Sequence, residues 1–463
     1  MISRSARRRI LLAVALFGIA LLAIGAHYAY RVALVGAGFA AKNVCSTVFV
    51  SGRSVEAAIE DLRAYRSAPL DLVSVSVDAT LGTATGRMAG VAHRTALHRE
   101  GLGCVLVIGA APDTLARVSV PQPAARAAAA WPTGDADTPP ALPPALAQVL
   151  DEAFTERPDS PPKRTRAVIV VHDGRIVAER YGTGITRETR LPGWSMTKSV
   201  AAALAGVLAG EGRLAIDAPA PLPAWRTPGD TRGTITPAQL LHMSSGLAFD
   251  ETYSNPLADV VVMLFGTGDS AGFAASKPLA HAPGARWAYA SGTTNILMRV
   301  LRESSGSEGD YLALPRRALF DRIGMASAVL EADAAGTFVG SSLMYATARD
   351  WARFGLLVLN DGVWGGERVL PAGWVKFSTT PAPAAPEGEY GAHWWLKLEA
   401  NRGPRGTPRR LPDDSFHAGG HGGQFVTVVP SRRAVVVRLG HAVDRGAWDQ
   451  DAFAARVVAA LAP

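Results

Sequence analysis

The chain of 463 residues is longer than one typical domain, and 48% hydrophobic against 19% charged residues excludes global disorder. Its 47 basic and 40 acidic residues give a net charge of +7, but only six of the basic residues are lysine: Lys42, Lys163, Lys198, Lys277, Lys376 and Lys397. The arginines are scattered among acidic or apolar neighbours, with one dense cluster at Arg7, Arg8 and Arg9, so the composition shows no nucleic-acid-binding stripe and no nucleic-acid partner is expected.

That cluster precedes an unbroken apolar run from Ile10 to Ala26. As a helix the run spans roughly 25 Å, with Tyr28 and Tyr30 where an interfacial aromatic belt falls. Residues 1–41 therefore read as a signal-anchor, which makes the membrane a partner through the N-terminal helix. The basic flank places the body outside the cytoplasm, anchored in the inner membrane of the cell envelope and facing the periplasm. A cleaved signal peptide is the competing reading, because Ala23-Ile24-Gly25 is a passable cleavage site, and it would make the protein secreted.

Residues 42–118 read as a small α/β extension, with an amphipathic stretch over Val55 to Ala64 and Val-rich strands near Leu70 to Val77. Cys45 and Cys104, the two cysteines of the chain, sit in strand-like apolar contexts. Export to an oxidising compartment predicts that they form a structural disulfide, with two buried free thiols as the alternative. Residues 119–143 turn to Pro, Ala, Thr and Asp, the composition of a linker or of a loop draped over the surface. A domain spanning 144–463 follows.

That domain opens with a hairpin, Arg166 to His172 and Arg175 to Tyr181, turned at Asp173-Gly174. Helices are predicted from Ser199 to Leu214, Thr236 to His242, Thr294 to Glu303, Leu312 to Phe320, Ala346 to Leu359 and Pro371 to Phe377. Strands return at Trp394 to Leu398, Gln424 to Val429 and Ala434 to Leu439, and Ala452 to Leu461 reads as a closing helix. A hairpin first, helices in the middle, and strands with a helix last imply an antiparallel sheet built from both ends of the domain, flanked by helices, with a mostly helical insertion.

Three familiar signatures fail on context. Gly36-Ala-Gly38 abuts the apolar segment instead of opening a βαβ unit. The Gly-x-Ser-x-Gly spacing of the α/β-hydrolase elbow occurs at Gly268-Asp-Ser270-Ala-Gly272, but no strand is predicted to lead into it. His417 and His421 lie in glycine-rich sequence without a nearby Glu or Cys to complete a metal set. No metal or cofactor is expected.

Ser195-Met-Thr-Lys198 survives. It follows Pro192-Gly193-Trp194 and opens a long apolar helix, so residues three apart share a face and Lys198 can reach the Ser195 hydroxyl. A serine becomes nucleophilic when a neighbouring base takes its proton, and a lysine held neutral by burial can do so. The bland alternative is a surface lysine beside a helix-capping serine. Ser160-Pro-Pro-Lys163 has the same spacing, but its prolines forbid the helix this chemistry needs. A second element, Tyr289-Ala-Ser291, enters another helix; Tyr289 alone would be a packing residue, but beside Ser-x-x-Lys it supplies a phenol that relays a proton to a leaving group. The third is Ala418-Gly-Gly-His421-Gly-Gly-Gln424, a predicted glycine-rich strand whose backbone can approach a substrate carbonyl and join the Ser195 amide as an oxyanion hole; a plain β-bulge is its alternative.

These three elements, in this order, resemble the serine β-lactamase and DD-peptidase superfamily, whose motifs are Ser-x-x-Lys, Tyr-x-Asn or Ser-x-Asn, and Lys-Thr-Gly. The resemblance covers residues 145–463. Leu240-Leu-His-Met-Ser-Ser-Gly246, Tyr345 to Gly355, Tyr390-Gly-Ala-His-Trp-Trp and Val428 to Val437 are most similar to the class C-related branch containing 6-aminohexanoate-dimer hydrolases and carboxylesterases. It implies an α/β sheet domain and a helical domain with the site between them, Ser195 as acylated nucleophile, Lys198 as base and Tyr289 as second acid/base. Ser291 replaces the usual Asn, and the third motif has no lysine, so efficient β-lactamase activity is not expected. Either Ala418-Gly-Gly420 or His421-Gly-Gly can overlay Lys-Thr-Gly, which leaves the second oxyanion amide at His421 or Gln424. By the same resemblance Tyr253 contacts the substrate amide. The expectation is a serine hydrolase for small amide, ester or peptide substrates. A DD-peptidase-like or β-lactam-hydrolysing cell-wall enzyme and a non-catalytic envelope binding protein are the alternatives.

Overall fold

The computed structural model describes residues 4–65, 68–125, 128–136, 141–398, 411–444 and 446–461. Positions 1–3, 66–67, 126–127, 137–140, 399–410, 445 and 462–463, which belong to the predicted N-terminal segment, extension, linker and closing domain, lie outside the described residues.

The N-terminal helix α1 runs unbroken from Arg4 to Cys45, straight through position 41. Its first half is exposed and apolar enough to cross a membrane, whereas Ala33, Val35, Ala37, Ala40 and Ala41 are buried in protein. Its apolar residues run all the way round the helix. After a π-helical turn, Ser46–Val50, come α2 (Val55–Arg63) and four strands, β1 (Val73–Asp78), β2 (Thr83–Met88), β3 (Ala92–Arg99) and β4 (Gly103–Leu106). They pair in sequence order as an antiparallel sheet on which the buried half of α1 lies. Gly86 permits the contact, since a Cβ there would stand 2.4 Å from the Ala37 carbonyl. Gly38, part of the rejected dinucleotide signature, serves the same end against the Phe265 carbonyl.

The disulfide joins Cys45 to Cys104. The strand expected at Cys45 is instead the last turn of α1: the run Ser46-Thr-Val-Phe-Val has strand composition, but continuation of the preceding helix overrides propensity. A buried ion pair ties this unit to the rest of the chain. Lys42 donates to Glu331, whose other carboxylate oxygen accepts from Ser46 Oγ at 2.8 Å and from the Cys104 amide at 2.7 Å. The described part of the predicted linker is docked too: Asp135 accepts from the buried Arg349 and Arg353, and Trp131 donates to the Gly174 carbonyl.

The larger body begins with α3 (Pro144–Phe154) and the hairpin β5 (Thr165–His172) and β6 (Arg175–Tyr181). Asp173 and Gly174 both have positive φ, 48° and 75°, as a two-residue hairpin turn requires. The middle of the chain supplies α4 (Thr197–Gly210), α5 (Ser291–Glu303) and α6 (Ala348–Leu359), together with short helices at Pro237–Leu241, Glu308–Pro315 and Trp374–Ser378. The chain closes with β7 (Phe416–Gly420), β8 (Gln424–Val429), β9 (Ala434–Gly440) and α7 (Gln450–Leu461). The five strands order as β7-β8-β9-β5-β6, every pair antiparallel, so both ends of the domain build one sheet. Helix α6 covers one face, and α3 with α7 covers the other, which is why β5 and β9 are continuous Val/Ile runs.

Two predicted strands change. Trp394 to Leu398 forms no strand: Trp395 alone exchanges a hydrogen-bond pair with His417, because the backbone turns at His393 with φ 60°. The glycine-rich stretch is a hairpin, in which β7 ends at Gly420, residues 421–423 turn with Gly422 and Gly423 at positive φ, and β8 begins at Gln424.

Candidate active site

Ser195 sits where α4 begins. Helix α4 is Ala- and Leu-rich and buried almost all round, so its start is fixed by packing on every side. Immediately before it, Trp194 adopts φ 47°, a left-handed conformation that a bulky residue holds only when its surroundings enforce it. The neighbouring Gly193 is pinned: its amide donates to the Met344 carbonyl at 2.8 Å, and a Cβ would collide with Trp351 at 2.3 Å.

One helical turn on, Lys198 is 1% exposed. Its Nζ lies 3.0 Å from Ser195 Oγ, 3.1 Å from Ser291 Oγ and 2.9 Å from the Ser341 carbonyl oxygen. Burial lowers its pKa from 10.5 to about 8, against the opposing pull of Glu251. About a tenth of Lys198 is then neutral at pH 7, far more than for a solvated lysine. Its Nζ also lies 4.9 Å from the Tyr289 ring centre. Burial first, and then the negative charge of Glu251, raise the Tyr289 pKa, so this phenol stays protonated and is a proton donor.

Ser291 is the first residue of α5 and fully buried. Its amide and hydroxyl donate to Glu251, at 2.8 and 2.6 Å, so a carboxylate from a distant loop caps α5. Tyr253 donates to the same carboxylate at 3.1 Å from a half-exposed position at the mouth of the site.

Edge strand β7 lies beside the start of α4. A Cβ at Gly420 would stand 2.2 Å from the Gly193 carbonyl and 3.2 Å from the Ser195 amide nitrogen. Gln424 pairs with Gly420 across the hairpin, and its side chain is directed into the turn, where it donates to the carbonyls of His421, Gly422 and Gly440. That side chain shapes the hairpin. His421, at the turn, is edge-on to Trp194, and its ring stacks with Tyr253 at 6.3 Å and with Tyr65 at 5.6 Å. His417, by contrast, is buried behind the sheet against Thr427.

Aromatic side chains form one wall. Trp395 stacks on Tyr289 at 5.3 Å and meets Tyr390 edge-on at 4.8 Å, with Trp287 beside both. The structure thus gathers Ser195, Lys198, Tyr289, Ser291, Tyr253, Gly420 and His421 into one cleft. The residues that sequence reading passed over are Glu251, the Ser341 carbonyl, Tyr65 and the Trp395–Tyr390 wall. Glu251 lies two residues before Tyr253, and that proximity is the one local signal it gives. Tyr65 comes from the N-terminal unit, and nothing local announces it.

Comparison with known proteins places the chain in a family and a fold. Residues 150–460 match the family model described as Beta-lactamase. A 6-aminohexanoate-dimer hydrolase from Paenarthrobacter ureafaciens is 25% identical over 273 residues, covering 53% of this chain and 69% of that protein. Among solved structures, a family VIII carboxylesterase matches with a TM-score of 0.53 at 19% identity, over 69% of this chain and 97% of that one. A penicillin-binding protein homologue from Caulobacter crescentus matches with a TM-score of 0.52 at 18% identity, over 69% and 98%. At these identities the structural likeness speaks for the fold, an α/β arrangement of antiparallel sheet and helices, while the family match spans most of the chain. Because that match covers more than half of the chain, the chain belongs to the Beta-lactamase family.

Proposed function

We propose that the protein is a serine hydrolase that cleaves amide or ester bonds of small substrates through an acyl-Ser195 intermediate. The observation that carries this reading is the buried Lys198 amine 3.0 Å from the Ser195 hydroxyl. Ser195 Oγ attacks the substrate carbonyl carbon while its proton passes to Lys198 Nζ. Tyr289, held protonated, passes a proton to the departing amine or alcohol and is reprotonated from Lys198. Water then attacks the acyl carbon, its proton returns through the same groups, and the free acid leaves. The amides of Ser195 and His421 are assigned to the oxyanion, a choice supported by Gly420, the residue before His421, standing beside the Ser195 amide. Tyr253, at the mouth, is assigned to the substrate's amide or ester group. The aromatic wall favours acyl groups with apolar surface. The name of the 6-aminohexanoate-dimer hydrolase and that of the carboxylesterase support the same bond classes.

The exposed half of α1 is assigned to a membrane, with the body in the periplasm. Because burial in protein begins at Ala33, three residues after Tyr30, the body would stand on the bilayer without a linker. The sequence unit 42–118 then shares α1 with the anchor, so the test uses the full chain in detergent.

The test is intact-mass analysis after a fluorophosphonate probe and, separately, a penicillin, with Ser195→Ala as control. A single adduct lost in the variant is expected with the fluorophosphonate. A stable penicillin adduct would move the reading to cell-wall chemistry, and no adduct with either reagent in folded protein would sink it in favour of a binding role. Gly420→Ala tests the strand: its Cβ must push β7 off the Gly193 carbonyl. Turnover of an activated ester is expected to fall roughly 10²-fold, the cost of displacing a backbone oxyanion donor. Unchanged turnover would remove β7 from the site.

A further inference from the structure

With Ser195 as nucleophile and Lys198 as base, as proposed above, the direction of each hydrogen bond around Nζ decides whether the base can work. A neutral amine has two N–H bonds and one lone pair, and the lone pair must face the Ser195 hydroxyl. Nζ has three oxygen neighbours. The Ser341 oxygen is a carbonyl and can only accept, which commits one N–H. Ser291 is a hydroxyl and can either accept or donate. If it donated, it would occupy the lone pair and leave Ser195 facing an N–H.

Glu251 removes that option. Its Oε1 lies 2.6 Å from Ser291 Oγ, and a carboxylate only accepts, so the Ser291 hydrogen is committed away from the lysine. Ser291 must then accept from Lys198. Both N–H bonds of the neutral amine are used, on Ser341 and Ser291, and the lone pair is left for Ser195. We infer that Glu251 is a positioning residue that, by holding the Ser291 hydroxyl hydrogen, aims the neutral Lys198 lone pair at Ser195. Glu251 is itself held by the Ser291 amide at 2.8 Å and the Tyr253 hydroxyl at 3.1 Å. The arrangement has a cost, because the same charge favours protonated Lys198. The other titratable groups facing Lys198 are Tyr289, which stays protonated, and His393, whose pKa burial and Lys198 lower to about 3 and which bonds Thr294 at 3.0 Å.

The experiment is Glu251→Gln in the full chain, read as single-turnover acylation by an activated ester from about pH 6 to about pH 10. Glutamine keeps the shape but has one acceptor where Ser291 needs two, so the Ser291 hydrogen is free to turn to the lysine. Two effects are expected together: the alkaline plateau falls about tenfold or more, and the pH midpoint moves down because a negative charge near Lys198 is gone. Glu251→Asp, which keeps the charge, leaves the midpoint in place. In a Ser291→Ala background, Glu251→Gln still moves the midpoint but costs the plateau no more than about twofold, since the hydroxyl it acts through is absent. The inference is overturned if Glu251→Gln leaves the plateau within about twofold of the parent, or if its full loss recurs on Ser291→Ala. A parent protein that shows no Ser195-dependent acylation would sink the underlying reading, and this inference with it.

Discussion

Lys198→Met lowers acylation about 10³-fold or more and abolishes its pH dependence below pH 8, the expected outcome of removing the general base. Methionine matches the length of the lysine stem and suits a position 1% exposed, so the fold is expected to persist, as a thermal melt would verify. The sign of the pH effect follows from the direction of the shift. Burial lowers the Lys198 pKa to about 8, and the neutral form is the active one. The parent rate should therefore fall about tenfold per unit below that pH and level off above it. Tyr289 does not obscure this limb, because burial and Glu251 move its titration upward, away from the lysine. Measured as kcat/KM for an uncharged ester, a parent profile that stays flat from mildly acidic to alkaline pH would eliminate Lys198 as base, whatever the variant does.

Lys42→Met should destabilise the protein by about 3–5 kcal/mol, since it leaves a buried carboxylate without the cation that bonds it. Glu331 is fully buried, and its other donors are the Ser46 hydroxyl and the Cys104 amide, which cannot replace a cation. The pair joins α1 to the strand Val329–Leu330, which runs through Met344–Ala346 to the segment Leu191–Pro192 just before Ser195. Loosening it is expected to lower activity as well as the melting temperature, measured on the full chain in detergent. The double variant Lys42→Met/Glu331→Gln removes both charges and should recover most of the loss. A double variant as unstable as the single would show that the loss lies in packing of the lysine stem rather than in an orphaned carboxylate.

The parts of the fold that were legible in the sequence are those set by neighbours along the chain. The Asp173-Gly174 turn and its two flanking strands follow from local φ requirements and alternation. The amphipathic runs of α5 and α6 follow from helical period. The Ser195–Lys198 contact is a spacing of three on one helix, so its geometry follows once the helix does. Composition also misled where a long-range constraint overrode it. Ser46 to Val50 has strand residues but continues α1, and Trp394 to Leu398 has strand residues but turns at His393 after one ladder pair.

The sequence by itself determined the motif order, the apolar helix, the two cysteines and the sheet assembled from both ends, because each rests on residue type and short-range period. Only the tertiary structure decided which glycine of the last motif meets Ser195, that Tyr65 of the N-terminal unit lines the cleft, and that Glu251 stands behind Ser291. Those depend on contacts between residues 40 apart (Glu251 and Ser291), 225 apart (Ser195 and Gly420) and 356 apart (Tyr65 and His421). Such closure is fixed by core packing and by the need to satisfy every buried donor, and neither leaves a periodic trace along the chain.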